Sequence, residues 1–290
     1  MRSSVVRSET YMDENFKNRK FDVIVLAGQS NASGSGFGAP EDAFCGDPRI
    51  FSLVNDYTAD VKKTEYGNEY LEIKYSDGFT VKPSAEFFDA DGNGFGKKGT
   101  FAFYFAEEYA RNDLENGRDL LIVETAIGGT GFSKDHWKVG DPLYERMIKM
   151  IGYALSLNAE NRLKCVLWHQ GEHDSWENPQ FTDRERFDFY YANLSALIKS
   201  FRAKFGTVPF VAAGFTKEWY DAYPHQCEAV YTATEKVFSE NPACRFIRDT
   251  FDLDCNKDAV GIDDTVHFCK RSLKILGGRY YRAYKELSAK

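Results

Sequence analysis

Phe21-Asp22-Val23-Ile24-Val25-Leu26-Ala27-Gly28-Gln29-Ser30-Asn31-Ala32-Ser33-Gly34-Ser35-Gly36-Phe37-Gly38 is the stretch whose reading decides the fold. Val23 to Ala27 is a short, unbroken apolar run, the pattern of a strand buried on both faces of a parallel sheet. Gly28 stops the strand, and Gln29, Ser30 and Asn31 follow where the chain must turn. Open α/β sheets place their chemistry at the carboxyl edge of such strands, so Ser30 is a candidate nucleophile. Two other readings compete: serines that cap a helix after a glycine-rich turn, and a loop that cradles phosphate. No lysine follows the glycines, which weakens the phosphate reading.

The pattern beyond this stretch alternates strand and helix. Residues 1–20 read as an irregular arm. Residues 39–99 read as a loop and hairpin insertion at the sheet edge. Ile50–Val54 is a candidate strand there, and Ser76-Asp77-Gly78 is a turn that closes a hairpin. Asp91-Gly92-Asn93-Gly94 reads as another turn. Phe101, Phe105, Glu108 and Tyr109 have helical spacing within 100–112. Leu120–Thr125 is the next strand. Asp141 and Pro142 read as N-cap and first helical residue of a helix to about Leu157. Strands at 163–168, 208–213 and 245–249 alternate with helices at 183–205, 224–241 and 270–287. Such alternation implies a parallel sheet covered by helices on both faces, a three-layer α/β/α sandwich in one domain spanning 1–290.

Composition sets limits on function. The chain has 290 residues, 43% hydrophobic and 28% charged, and carries a net charge of −7. That supports a sizeable core. With no basic block, a nucleic-acid partner is not expected. No apolar stretch nears the roughly 20 residues that span a bilayer, so no membrane partner is expected. The polar start lacks a secretory h-region. The expected compartment is cytoplasmic if Met1 is native, and secreted or periplasmic if a signal has been trimmed. Cys45, Cys165, Cys227, Cys244, Cys255 and Cys269 are scattered without a C-x-x-C pair and read mostly as reduced thiols.

Three further loops carry polar residues that plain turns do not need. Ala126-Ile127-Gly128-Gly129-Thr130-Gly131 follows a strand, and its glycines let backbone amides approach a developing oxyanion. Trp168-His169-Gln170-Gly171-Glu172-His173 contains H-x-x-E-H, a zinc pattern when both histidines share a helix face. The adjoining strand and Gly171 oppose a helix there, and Gln170 as an oxyanion donor is the better use. In Gly261-Ile262-Asp263-Asp264-Thr265-Val266-His267, an aspartate three residues before His267 brings carboxylate and imidazole together. Together the loops supply nucleophile, oxyanion donors and an oriented base, the parts of acyl transfer. Trp137 and Trp176 follow the second and third loops and are candidate pocket walls. Tyr57, Tyr66, Tyr70 and Phe79 of the insertion are either a sugar platform or packing groups.

The set Gly28-Gln29-Ser30-Asn31, Gly128-Gly129-Thr130, His169-Gln170-Gly171-Glu172 and Asp264-x-x-His267 resembles the SGNH/GDSL hydrolase superfamily, in its branch of sialate O-acetylesterases and acetyl xylan esterases. The resemblance runs from about Phe21 to Tyr284 and is weakest over 39–99. It implies a flavodoxin-like α/β/α sandwich and a serine esterase that removes acetyl groups from sugars, with no metal or other cofactor. It also implies Ser30 as nucleophile, His267 as base, Asp264 as its acid partner with Glu172 as the alternative, and an oxyanion hole of Ser30, Gly128, Gly129 and Gln170. Gln29, Asn31, Thr130, His169, Trp137 and Trp176 are then the residues around an acetylated carbohydrate substrate. The alternatives are a broader GDSL-type esterase or lipase and a non-catalytic carbohydrate-binding relative. Oligomeric state is not legible.

Overall fold

The strand that ends at the candidate serine is buried along its whole length. The computed structural model describes residues 16–63, 69–76, 78–88 and 97–289. Its strands are β1 (Phe21–Gly28), β2 (Ile50–Val54), β3 (Tyr57–Lys63), β4 (Glu69–Tyr75), β5 (Thr80–Pro83), β6 (Phe87–Phe88), β7 (Lys97–Lys98), β8 (Asp119–Glu124), β9 (Arg162–His169), β10 (Phe210–Ala213) and β11 (Cys244–Ile247). Its helices are α1 (Ser30–Ser33), α2 (Phe101–Asn112), α3 (Pro142–Ser156), α4 (Glu172–Trp176), α5 (Asp183–Phe205), α6 (Lys217–Ala222), α7 (Pro224–Ser239), α8 (Asn256–Val260) and α9 (Lys270–Ser288).

Side chains of β1 alternate between two cores. Phe21, Val23, Val25 and Ala27 meet α3, α5 and α7 on one face. Ile24 and Leu26 meet α2 and α9 on the other. A strand with apolar residues on both faces needs helices on both faces, which is the three-layer arrangement found.

The main sheet has seven strands in the order β11-β10-β9-β1-β8-β2-β5, parallel except for the antiparallel pair β2 and β5. Within it, β8-β1-β9-β10-β11 follow the flavodoxin-like order, and β1 lies between β8 and β9. The order reverses between β1 and β9, and ligands of open α/β sheets bind outside the carboxyl ends at such a point. Gly28 pairs with His169 there, so the Ser30 turn and the His169–Glu172 loop emerge side by side.

The insertion departs from its expected layout. β3 and β4 pair with each other, from Tyr57 opposite Tyr75 to Lys63 opposite Glu69. Their connection therefore falls at 64–68, outside the described residues. Ser76 and Gly78 instead lead from β4 into β5, which extends the main sheet beside β2. Asn55 explains the difference: its Nδ2 donates to Ser76 O at 3.0 Å and Gly78 O at 2.8 Å, tying the base of the hairpin. Asp77, the 91–94 turn and residues 1–15 of the arm lie outside the described residues. Asp141 precedes Pro142 as expected, but its carboxylate accepts from Lys138 N at 2.9 Å rather than capping α3. The six cysteines are free thiols. Among the described residues no helix is long and apolar enough to cross a membrane.

Candidate active site

Gly28 has φ +126°, and a Cβ there would lie 2.0 Å from His169 O. Only glycine lets the chain leave β1 so close to β9. Gln29 N donates to His169 O at 2.9 Å, and the single turn α1 begins at Ser30. As the first residue of a helix, Ser30 has an N–H with no intrahelical acceptor.

Ser30 and His267 face one cavity of about 290 Å³, lined also by Gln29, Gly129, Glu172, His173, Trp176, Trp219 and Val266. His267 Nδ1 lies 2.8 Å from Asp264 Oδ2, and His267 N donates to Asp264 Oδ1 at 3.2 Å. Asn256 Nδ2 donates to Asp264 Oδ2 at 2.8 Å. Burial alone would raise the pKa of Asp264, but its bonds to His267 and Asn256 and the His267 charge hold the carboxyl below its usual range. The aspartate therefore stays ionised and orients the ring, with Nε2 as the other ring nitrogen.

Asn31 couples this loop to the Ser30 turn. It is fully buried. Its Nδ2 donates to Glu172 Oε1 at 2.7 Å and Val266 O at 3.0 Å, while Oδ1 accepts from Phe268 N at 3.0 Å. The residues on both sides of His267 are thus held by the residue that follows Ser30. Asn31 is consequently not positioned to touch substrate.

Glu172 is also buried, 3.2 Å from His169 Nε2. Burial raises its pKa, but the His169 charge and the bonds to His169 and Asn31 bring it below the usual range. Asp264, and not Glu172, stands on His267 Nδ1. The H-x-x-E-H pattern is split between the end of β9 and the start of α4. His169 is fully buried, 3.2 Å from the Tyr280 hydroxyl, so it lies behind the cavity rather than in it.

The glycine loop packs directly on the serine: a Cβ on Gly128 would lie 3.4 Å from Ser30 Cβ, and Gly129 has φ +71° with open space before it. Asp174 anchors the far end of this loop, accepting from Phe132 N at 3.0 Å and Ser133 N at 2.8 Å. His136 Nδ1 accepts from Gly131 N at 3.3 Å, and burial lowers its pKa to about 4.

Besides Asn31, Gly128 and Asp264, four expected site residues lie outside the cavity lining. Gln170 is buried and donates to Asp174 Oδ2 at 2.7 Å, with Tyr190 donating to its Oε1 at 3.1 Å. Its amide is engaged in the core and does not line the cavity. Thr130 is fully buried, its hydroxyl donating to Ile127 O and accepting from Trp137 Nε1. Trp137 is fully buried against Trp168, ring centroids 5.2 Å apart. His169 is the fourth. Their residue types suit a pocket, but hydrogen bonds and ring contacts with other buried side chains hold each of them in the interior.

Gln29 and Trp176 do line the cavity, and Trp176 is 52% exposed. Gln29 Oε1 accepts from His173 N at 3.1 Å and Gln170 Nε2 at 3.3 Å, which leaves its Nε2 as the free end among the described residues. Sequence reasoning missed Trp219, which forms a second aromatic wall with Nε1 fixed on Ser175 Oγ at 3.1 Å. It also missed Asn256 behind Asp264. Neither carries a local motif.

A stretch of 137 residues is 24% identical to the "Probable 9-O-acetyl-N-acetylneuraminic acid deacetylase" of Escherichia coli, over 41% of this chain and 42% of that protein. Another of 93 residues is 34% identical to a "Probable carbohydrate esterase" of Arabidopsis thaliana, over 32% of each chain. The matched stretches thus span less than half of these curated relatives. A solved Arabidopsis thaliana structure superposes with TM-score 0.65 at 18% identity, covering 92% of this chain and 98% of that one, a likeness of fold. Residues 20–286 match the family described as carbohydrate esterase, sialic acid-specific acetylesterase, and the chain belongs to that family.

Proposed function

We propose that the chain is a serine O-acetylesterase acting on acetylated carbohydrates. The observation that carries the reading is the Asp264–His267 pair, 2.8 Å apart, opening with Ser30 onto one cavity. His267 Nε2 takes the Ser30 hydroxyl proton as Oγ bonds to the acetyl carbonyl carbon. The negative charge on the carbonyl oxygen is met by the Ser30 and Gly129 or Gly128 N–H groups and by Gln29 Nε2, in a role that Gln170 does not fill. Such donors contribute a few kcal/mol each to barrier lowering, on the order of 3. The bond from carbon to the sugar oxygen then breaks, and that oxygen takes the proton from His267. Water repeats the sequence, with its proton passing to His267 and then to Ser30 Oγ as acetate leaves. Trp176 and Trp219 offer apolar faces for a sugar ring.

The test is hydrolysis of p-nitrophenyl acetate by wild type and Ser30→Ala. Wild-type turnover with a loss of at least about 10³-fold in the variant is expected. Retained activity in Ser30→Ala would overturn the serine mechanism. A preference for long acyl chains would favour a broader esterase or lipase instead.

A further inference from the structure

A second cavity of about 470 Å³ opens at the same carboxyl edge, over the ends of β1, β8 and β2. Leu26, Ser33, Ala126 and Glu124 form its floor, and Tyr57, Lys82, Phe87 and Arg146 are among its walls. Ser30 begins α1 and lines the first cavity, and Ser33 ends α1 and lines the second. One helical turn, with a rise of about 5 Å, thus joins a lining residue of one cavity to a lining residue of the other.

Arg146 is only 7% exposed. Its Nε, Nη1 and Nη2 donate to Asn55 Oδ1, Thr125 O and Asn55 O, each at 3.2 Å. These acceptors are uncharged, and they use three of the five N–H groups of a guanidinium. Two N–H groups are left for a further acceptor. A buried cation without a direct carboxylate is costly; the Arg146 guanidinium carbon also lies 4.8 Å from the Tyr75 ring centroid and 6.0 Å from that of Tyr57, and a ligand oxygen in the cavity would add to these partners.

The charges on the cavity wall have both signs. Glu124 faces Arg146 and Lys82, and burial holds its carboxyl above the usual range. An anionic ligand would meet Glu124. A neutral polyol offers both acceptors for Arg146 and Lys82 and donors for Glu124. Tyr57 and Phe87 stand 42% and 44% exposed at the rim, where aromatic faces can stack on a pyranose ring. Of the other insertion aromatics, Phe79 packs on Tyr153 with centroids 5.2 Å apart, Tyr70 lies outside the cavity lining, and Tyr66 falls outside the described residues.

We infer that this cavity is a second carbohydrate subsite, which takes a neutral sugar unit next to the acetylated one, so that the enzyme acts on acetylated oligosaccharide chains in preference to single sugars. The inference rests on the carbohydrate-ester reading of the Ser30 cavity. It gives the insertion a function: Tyr57 and Phe87 come from it, and its Asn55 holds Arg146.

The experiment compares kcat/KM for acetylated xylotetraose, a singly acetylated methyl xyloside and p-nitrophenyl acetate, in wild type, Tyr57→Ala and Glu124→Gln. Wild type is expected to favour the tetrasaccharide over the xyloside by at least about tenfold. Each variant is expected to lower the ratio of tetrasaccharide to p-nitrophenyl acetate rates by about tenfold. Equal rates on the two sugars, or an unchanged ratio in both variants, would overturn the subsite. If wild type lacks turnover on every ester, the esterase reading fails separately. Calorimetric binding of unacetylated xylotetraose to Ser30→Ala still tests the subsite in that case: binding weakened by Tyr57→Ala supports it, and no binding overturns it.

Discussion

Replacing Asn31 by alanine tests whether the Ser30 turn and the His267 loop act as one unit. The change removes three hydrogen bonds of 2.7, 3.0 and 3.0 Å, to Glu172 Oε1, Val266 O and Phe268 N. Asn31 is fully buried, so water cannot readily replace them. A buried partner left unpaired costs about 1–3 kcal/mol, and one of the three is an ionised carboxylate. Allowing for relaxation and non-additivity, the expected loss is roughly 3 kcal/mol, or about 5–10 °C in Tm for a chain of this size. The two bonds on either side of His267 are also what hold its ring opposite Ser30. A displacement of about 1 Å at a reacting group costs on the order of 10²-fold in rate. The assay is kcat on p-nitrophenyl acetate at a temperature well below the variant's Tm, beside a thermal melt. Asn31→Asp serves as the near-isosteric control. It retains an acceptor for Phe268 N but sets a carboxylate against Glu172. Its activity is expected to recover partly as pH falls and one of the two carboxylates gains a proton. A lowered Tm with wild-type kcat in Asn31→Ala would refute the coupling to His267.

Two further outcomes follow from the geometry. Asp264→Asn is expected to lower kcat by about 10²–10⁴-fold, because the ring loses its orienting charge. Glu172→Gln should act mainly on Tm, and the opposite ranking of the two in kcat would make Glu172 the acid partner. His136 binds a proton near the usual histidine range when unfolded but only at about 4 when folded. Its contribution is therefore complete above pH 6.5 and is lost as pH falls towards 4, by at most about 3 kcal/mol. His136→Asn, which keeps an acceptor for Gly131 N, should flatten the fall of stability between pH 6.5 and 4. An unchanged slope would exclude His136 as its source.

Much of the architecture was legible because burial leaves a period in the sequence. The two-faced apolar run of β1 called for a parallel sheet with helices on both sides, and the alternation of strands and helices supplied them. Ser30, Gly129 and His267 were legible as candidates for a related reason. Strand ends and their loops are local features, and Gly28 and Asp264 act on residues two and three positions away.

The sequence by itself therefore determined the layers, the main strands and helices, and which loops meet at the carboxyl edge. Tertiary structure alone decided which polar side chain faces the cavity. Asn31 finds its partners 141, 235 and 237 residues away. Gln29 and Gln170 are chemically alike, yet one lines the cavity and the other is held by Asp174, 2.7 Å away. Trp137, expected at the pocket wall, lies in the core, and Trp219, which carried no expectation, forms part of the wall. Local pattern records whether a position is buried. Whether a buried amide or indole is turned to solvent, to substrate or to another side chain depends on distant contacts, and those exist only once the sheet has brought the loops together.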